Sequence, residues 1–419
     1  MEKPRAFLKG LFQVAVNAAL PDRSVAAYLP AKPKGRTIVI GAGKGAAQLA
    51  QAIETHWDGP LSGIVVTRYG YGATTKQIEM IEASHPVPDA AGLAAAKRLQ
   101  ETVAGLTRDD LVIALICGGG SALLPCPPGG ISLNDEIAMN EALLASGAPI
   151  SAMNTLRKHV SNIKGGRLAA LASPAKVVTL IVSDIPGDIA AFVASGPTVP
   201  DGSSRQDALD VVARYGLYLP DTIIKHLNSA AADAPDPNDT RFAGNEVHII
   251  ASASVSLEAA QRAAEAQGIP TVILSDSIEG EARESAKMHA AIAREINRND
   301  RPFAKPVLLL SGGETTVTLC GNGKGGRNSE FLLAFALEID GIDGIICLAA
   351  DTDGIDGSED NAGGIVDSNT VNRLRQAGID PLTLLANNDA WSALHASDDL
   401  FITGPTGTNV NDFRAILVR

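Results

Sequence analysis

Apolar residues fall in short runs separated by longer stretches with helical spacing. In the first half the runs are Arg36–Gly41, Gly63–Thr67, Ile78–Ala83, Leu111–Cys117 and Val177–Val182. Between them, helical periodicity predicts helices over 90–104, 134–146 and 153–164, with an Ala-rich helix after Gly45. Strand and helix in alternation predict a parallel sheet wound on both faces. The stretch Asp233–Thr240 is acidic and Pro-rich and reads as a linker. Beyond it, Val247–Ala251, Thr271–Leu274, Val307–Leu310, Val317–Cys320 and Gly344–Ala350 read as strands. The stretches 255–267, 281–297 and 329–339 read as helices, and a last strand closes the chain. No short tandem repeat is present.

Five strand ends carry glycine, hydroxyl or acid clusters: 41–45, 117–121, 183–188, 311–315 and 350–357. Glycine lets backbone N–H groups approach an anion, and a following helix adds the positive end of its dipole. Repeated in the same relation to their strands, such clusters predict one polar site lined by loops. The centre of the pattern is Asn154–Asp188. On helical spacing Met153, Leu156, Val160 and Ile163 share one face, and Asn154, Arg157, Lys158 and Ser161 share the other. Gly165 and Gly166 are expected to stop this helix and offer bare amides. The strand that follows delivers Asp184 and Asp188 at its C-terminal end, where open α/β sheets bind ligands.

Length and composition narrow the classes. A chain of 419 residues is expected to form two domains. Aromatics are only 4%, while Ala, Gly and Val abound, which suits tightly packed sheets and helices. Net charge is −12, without a basic run, which argues against nucleic acid as a partner. Cys117, Cys126, Cys320 and Cys347 form no CxxC pair and read as reduced thiols of a cytoplasmic protein. The stretch Ala6–Leu20 is interrupted by Lys9, Gln13 and Asn17, so it reads as an amphipathic helix and not a signal peptide. No apolar run approaches membrane-spanning length.

The loops differ in the chemistry they offer. Gly41-x-Gly43-x-x-Ala46 fits a loose dinucleotide pattern. The next strand ends in Thr67-Arg68 and lacks the acid that a ribose would want, which weakens an NAD reading and leaves an NADP one. Alternatively, Lys44 between glycines is a mobile charge beside phosphate oxygens, although no GxxxxGK[ST] occurs. Gly118, Gly119, Gly120 and Ser121 form a second glycine loop. Gly323–Asn328 at a helix start resembles an anion cradle, with Arg327 placed to neutralise a transferring phosphoryl group. Asp351-x-Asp353-x-x-Asp356 fails the EF-hand pattern but suits a Mg²⁺ shared with substrate phosphates. His85 and His159 read as packing residues. Ser121 is not in a GxSxG elbow, so hydrolase chemistry is unsupported.

Taken together, nine motifs resemble the type II glycerate kinases, a family built from a MOFRL-associated domain and a MOFRL domain. They are Gly41-Ala-Gly-Lys-Gly45, Ser84-His-Pro-Val-Pro-Asp89, Gly118-Gly-Gly-Ser-Ala122, the 154–166 stretch, Ser183-Asp-x-x-Gly-Asp188, Ser195-Gly-Pro-Thr198, Ser311-Gly-Gly-Glu-Thr315, Gly325-Gly-Arg-Asn328 and Asp353-Gly-x-Asp-Gly357. The resemblance spans nearly the whole chain. Similar sequences also carry the name hydroxypyruvate reductase, so an NAD(P)H-dependent reductase is the alternative.

The resemblance implies two α/β domains with the active-site cleft between them. The first, 1–235, would be a Rossmann-like doubly wound sheet. The second, 241–419, would be smaller and mixed, with MOFRL over about 305–413. It also implies ATP- and Mg²⁺-dependent phosphorylation of D-glycerate to 2-phosphoglycerate by a monomer or homodimer. The family's catalytic lysine falls on Lys44 and its arginine on Arg327. The remaining roles are our inference. Arg157, Lys158 or nearby glycine amides hold the glycerate carboxylate, with Asn154 beside them. Asp188 or Asp184 accepts the hydroxyl proton or binds metal. Gly313, Glu314, Asn328, Asp351 and Asp353 complete the nucleotide and metal site.

Overall fold

The computed structural model describes residues 3–419. They form two compact units, one spanning Pro21–Ile250 and the other Ala251–Arg419 together with the chain up to Leu20.

The sheet of the Pro21–Ile250 unit holds β1 (Thr37–Ala42), β2 (Ser62–Arg68), β3 (Ile78–Ala83), β4 (Leu111–Cys117), β5 (Lys176–Val182) and β6 (Glu246–Ala251). Their order is β3-β2-β1-β4-β5-β6, that of a Rossmann sheet. β1 pairs in parallel with β2 and β4, β2 with β3, and β4 with β5. Side chains alternate between two cores, as the two-residue strand period requires. Ile38, Ile40, Val112, Ala114 and Ile116 enter one core with Ala95, Ala96, Leu99 and Val103 of the helix Ala90–Val103. Val39, Leu111, Ile113, Leu115 and Cys117 enter the other with Leu49, Ala50 and Ile53 of the helix Ala46–His56. Both faces are therefore covered, as expected.

The second sheet contains β7 (Thr271–Glu281), β8 (Val307–Thr316), β9 (Ile345–Asp351), β10 (Gly363–Asp367), β11 (Leu400–Phe401) and β12 (Asp412–Val418). Its order is β11-β10-β9-β12-β8-β7. Only β7 and β8 run parallel; the other pairs are antiparallel. The expected mixed architecture is present.

Several boundaries differ from expectation. The Asp233–Thr240 stretch does not divide the units. Beyond it β6 lies at the edge of the first sheet, beside β5. Asn245 Oδ1 accepts the Val177 amide at 2.9 Å, and Lys176 pairs with Glu246 at 2.5 Å. The helix Pro4–Ala19 belongs to the C-terminal unit, not to a 1–235 domain. Its Leu8, Leu11, Phe12 and Ala15 are buried with Leu308, Leu310, Leu348 and Phe413. Phe12 meets the Phe401 ring edge-on at 5.2 Å, and Arg5 pairs with Asp367 and Asp399 at 2.6 Å.

β8 continues through Ser311-Gly-Gly-Glu-Thr315, which was expected as a loop. Gly313 is matched to Ile278 on one side and Asp412 on the other, so ladder pairing overrides the glycine punctuation. The stretch Val317–Cys320 is not a strand. The predicted helix 153–164 is Ile150–His159 and ends well before Gly165.

Candidate active site

In the Pro21–Ile250 unit, strand order reverses between β1 and β4, and the loops after both strands meet there. Such a reversal is where open α/β sheets bind ligands. Ala42 ends β1, and Gly43-Lys44-Gly45 leads into the helix Ala46–His56. The Lys44 amide donates to the Gly118 carbonyl at 2.9 Å and the Gly43 amide to Val66 at 3.1 Å. The two glycine loops are thereby locked together.

After β4, Gly119 adopts φ +80° and caps the short helix Gly120–Leu123. A Cβ on Gly119 would stand 3.0 Å from His85 Nε2 and 3.2 Å from Lys44 Cγ, and one on Gly118 would fall on the Asp184 carboxylate. Close approach, as much as backbone conformation, requires glycine here. Lys44, His85, Asp184 and the 118–120 backbone therefore converge. His85, read from the sequence as a packing residue, stands in this convergence. Its signal was the motif 84–89 directly after a strand at the same sheet end. Burial, Lys44 and Arg68 lower its pKa to about 4. Burial raises the Asp184 carboxyl above its usual range, while Lys44 pulls it the other way.

A hydrogen-bonded chain ties this loop to the helix Ile150–His159. Ser195 Oγ donates to Asn154 Oδ1 at 2.7 Å, so Ser121 Oγ, 2.8 Å from Ser195 Oγ, is the donor to it. Asn154 Nδ2 donates to the Phe192 carbonyl at 3.1 Å. The polar face of this helix is internal and not an open cationic surface. Lys158 is fully buried beside Asp201 and lies over the Phe192 ring; burial lowers its pKa to about 8. Arg157 gives Nε to Asn140 at 2.8 Å, and burial lowers its pKa.

The Gly165 and Gly166 amides donate to the Ser195 and Gly196 carbonyls at 3.0 and 2.7 Å. They are not the bare donors that the sequence predicted, because the 195–198 loop folds back over them. Lys164 pairs with buried Glu136 at 3.0 Å, and His159 bonds the Ala232 carbonyl at 2.8 Å, the packing role expected for it. Asp188 is half-buried with φ +51°, at the end of a tight turn after β5.

The C-terminal unit carries a second cluster, centred on Arg327 at the first turn of the helix Arg327–Glu338. Arg327 donates from Nε to Asp412 at 2.7 Å and from Nη2 to Asp351 at 2.6 Å; Glu314 is 3.9 Å from Nη1. Burial opposes the guanidinium charge, but Asp412 and Asp351 outweigh it and hold the pKa above its ordinary value. Burial raises the Asp351 carboxyl well above its usual range despite Arg327, with Asp353 and Asp412 adding to the rise. Asp351 Oδ1 accepts the Asp353 amide at 3.1 Å.

Asn328 donates Nδ2 to Asp412 at 2.8 Å, and Asp412 also bonds fully buried Arg414. Asp412 and Arg414 were missed. Their signal is a charged pair two residues apart inside an apolar strand, which places both on one face. Asp356 caps the helix by accepting the Asn328 and Ser329 amides at 2.9 and 2.7 Å, a structural task. Among the described residues no three His, Cys, Asp or Glu side chains form a metal-holding group, and no helix is long and apolar enough to cross a membrane.

Fold and clusters define an α/β protein with paired lysine–glycine loops at the switch point of a Rossmann sheet and a buried arginine–carboxylate cluster in its second unit. Comparison with known proteins gives this class its family. Residues 7–228 match a domain of unknown function, DUF4147, and 307–412 match the MOFRL family. The chain is 41% identical to D-glycerate 2-kinase of Thermotoga maritima over 95% of this chain and 94% of that protein. It is 50% identical to a putative hydroxypyruvate reductase of Agrobacterium vitis over 99% of this chain and 94% of that one. A crystal structure of glycerate kinase from Thermotoga maritima superposes with a TM-score of 0.91 at 38% identity, covering 100% of both chains. The chain belongs to this glycerate kinase family, with its DUF4147 and MOFRL parts.

Proposed function

We propose that this protein is an ATP-dependent D-glycerate 2-kinase. The hydroxyl oxygen on C2 of glycerate attacks the γ-phosphorus, the bond to the β–γ bridging oxygen breaks, and 2-phosphoglycerate, ADP and a proton result. The observation that carries this reading is Lys44, held between glycines at the sheet's switch point. A lysine there neutralises phosphoryl oxygens, and the 118–120 glycine loop lies beside it. Arg327 adds a fork of donors for charge that grows as the group transfers, an effect worth about 10²–10³ in rate for such clamps.

Asp188 accepts the hydroxyl proton. Asp184, beside Gly118, orients the hydroxyl. Arg157 holds the glycerate carboxylate on the helix that the Ser121–Ser195–Asn154 chain ties to the loop. Lys158 is committed to Asp201 and takes no part.

Asp351 and Asp353, close enough for their charges to interact, would offer carboxylate oxygens to a hard cation that keeps much of its shell for water and substrate phosphates. They would hold Mg²⁺, which when bound neutralises the nucleotide phosphates. ADP formation that depends on D-glycerate, in a purified preparation, tests the reading; ATP turnover indifferent to glycerate would refute it.

The name of the Agrobacterium relative and the Rossmann strand order favour a second reading, an NAD(P)H-dependent hydroxypyruvate reductase. β2 ends in Thr67-Arg68 without an acid for the ribose, which counts against NADH.

A further inference from the structure

His85 differs from the chain's other histidines. His56, His159, His226, His248 and His289 each bond a protein group, and His395 stacks on Trp391. Among the described residues no protein group bonds either ring nitrogen of His85. The half-buried ring thus keeps its nitrogens for solvent or a ligand, and it turns Nε2 toward Gly119, the glycine that Lys44 also approaches. The charges of Lys44, in the loop after β1, and Arg68, at the end of β2, act on the ring, and Asp184 stands at the neighbouring Gly118. The surroundings favour an anion, and the ring faces where one would lie.

We infer that His85 is a ligand-contacting residue of the Lys44 site, donating a ring N–H from an uncharged imidazole to an anionic phosphoryl oxygen. The inference deepens the kinase reading and rests on it for the identity of the ligand. A neutral donor adds direction without adding a third positive charge, which would also retain the product. The lowered proton affinity of the free ring accords with this role. A bound anion offsets Lys44 and Arg68 and draws that affinity back up.

The test uses the full chain with ¹⁵N-labelled histidine, His85 being assigned by its loss in His85→Asn. Inorganic phosphate and then ADP are titrated in. The inference expects the His85 ring signal to move saturably with either ligand. It also expects kcat/KM of His85→Ala to fall by about tenfold or more, with part regained in His85→Asn, which keeps an N–H donor. A ring signal unmoved at saturation, or a His85→Ala enzyme with the wild-type kcat/KM, overturns it. A wild-type protein that fails to phosphorylate glycerate refutes the kinase reading alone; the phosphate titration still decides the role of His85.

Discussion

Arg327 is held by Asp412 through an Nε to Oδ1 hydrogen bond of 2.7 Å, in a pocket where Asp412 is almost fully buried. Asp412 also takes donors from Asn328 and Arg414, so one carboxylate fixes two arginines and the helix start. Asp412→Ala would leave buried Arg414 short of its counter-charge. The expected loss is about 3–5 kcal/mol of unfolding free energy, with Asp412→Asn milder. Denaturant unfolding of the two variants checks this, and equal stability of Asp412→Ala and wild type would contradict it.

Arg327→Lys keeps the charge but not the fork that reaches Asp412 and Asp351 together. Turnover is expected to fall by about 10²-fold or more while the chain stays folded. Steady-state kinetics with circular dichroism as a fold control decides it.

Lys44→Ala should lower kcat/KM by about 10²–10³-fold. The thermal midpoint should barely move, because the loop is fixed by backbone bonds from the Lys44 and Gly43 amides and not by the side chain. Near-normal turnover in the folded variant would remove Lys44 from the mechanism.

The meeting of the two glycine loops was legible in the sequence because their parts are local. A strand end, a glycine cluster and a charged residue lie within a few positions at Gly41–Gly45 and Gly118–Ser121, and the parallel sheet brings such ends together. What was illegible is non-local. The stripe Leu8, Leu11, Phe12 and Ala15 declares a buried face but not which sheet covers it, and it packs beside strands some 300 to 400 residues later. Ser311–Thr315 looked like a loop, because glycine marks turns by composition, yet two neighbouring strands hold it extended. The basic face of 154–164 looked open because its partners Asp201 and Glu136 lie elsewhere in the chain.

His289 is fully buried, donates Nδ1–H to the Ser285 carbonyl and accepts from the Ser311 hydroxyl at Nε2, and has its pKa lowered from 6.5 to about 4, mainly by burial. Well above pH 6.5 neither the folded nor the unfolded ring carries a proton, so this residue leaves stability unaffected. Between 6.5 and about 4 the unfolded chain binds a proton that the native chain refuses, so stability falls as pH falls. The loss by pH 5 is about 2 kcal/mol for this residue. Unfolding of wild type and His289→Gln at pH 7.5 and 5 checks it; the same pH slope in both would contradict it.

The most direct test of the central claim is product identification by phosphorus NMR after incubating the protein with D-glycerate, ATP and Mg²⁺. NADH and NADPH are followed in parallel with hydroxypyruvate. The expected products are 2-phosphoglycerate and ADP, without nicotinamide oxidation. Nicotinamide oxidation without phosphoryl transfer would contradict it and return the Gly41–Gly45 loop to a dinucleotide role.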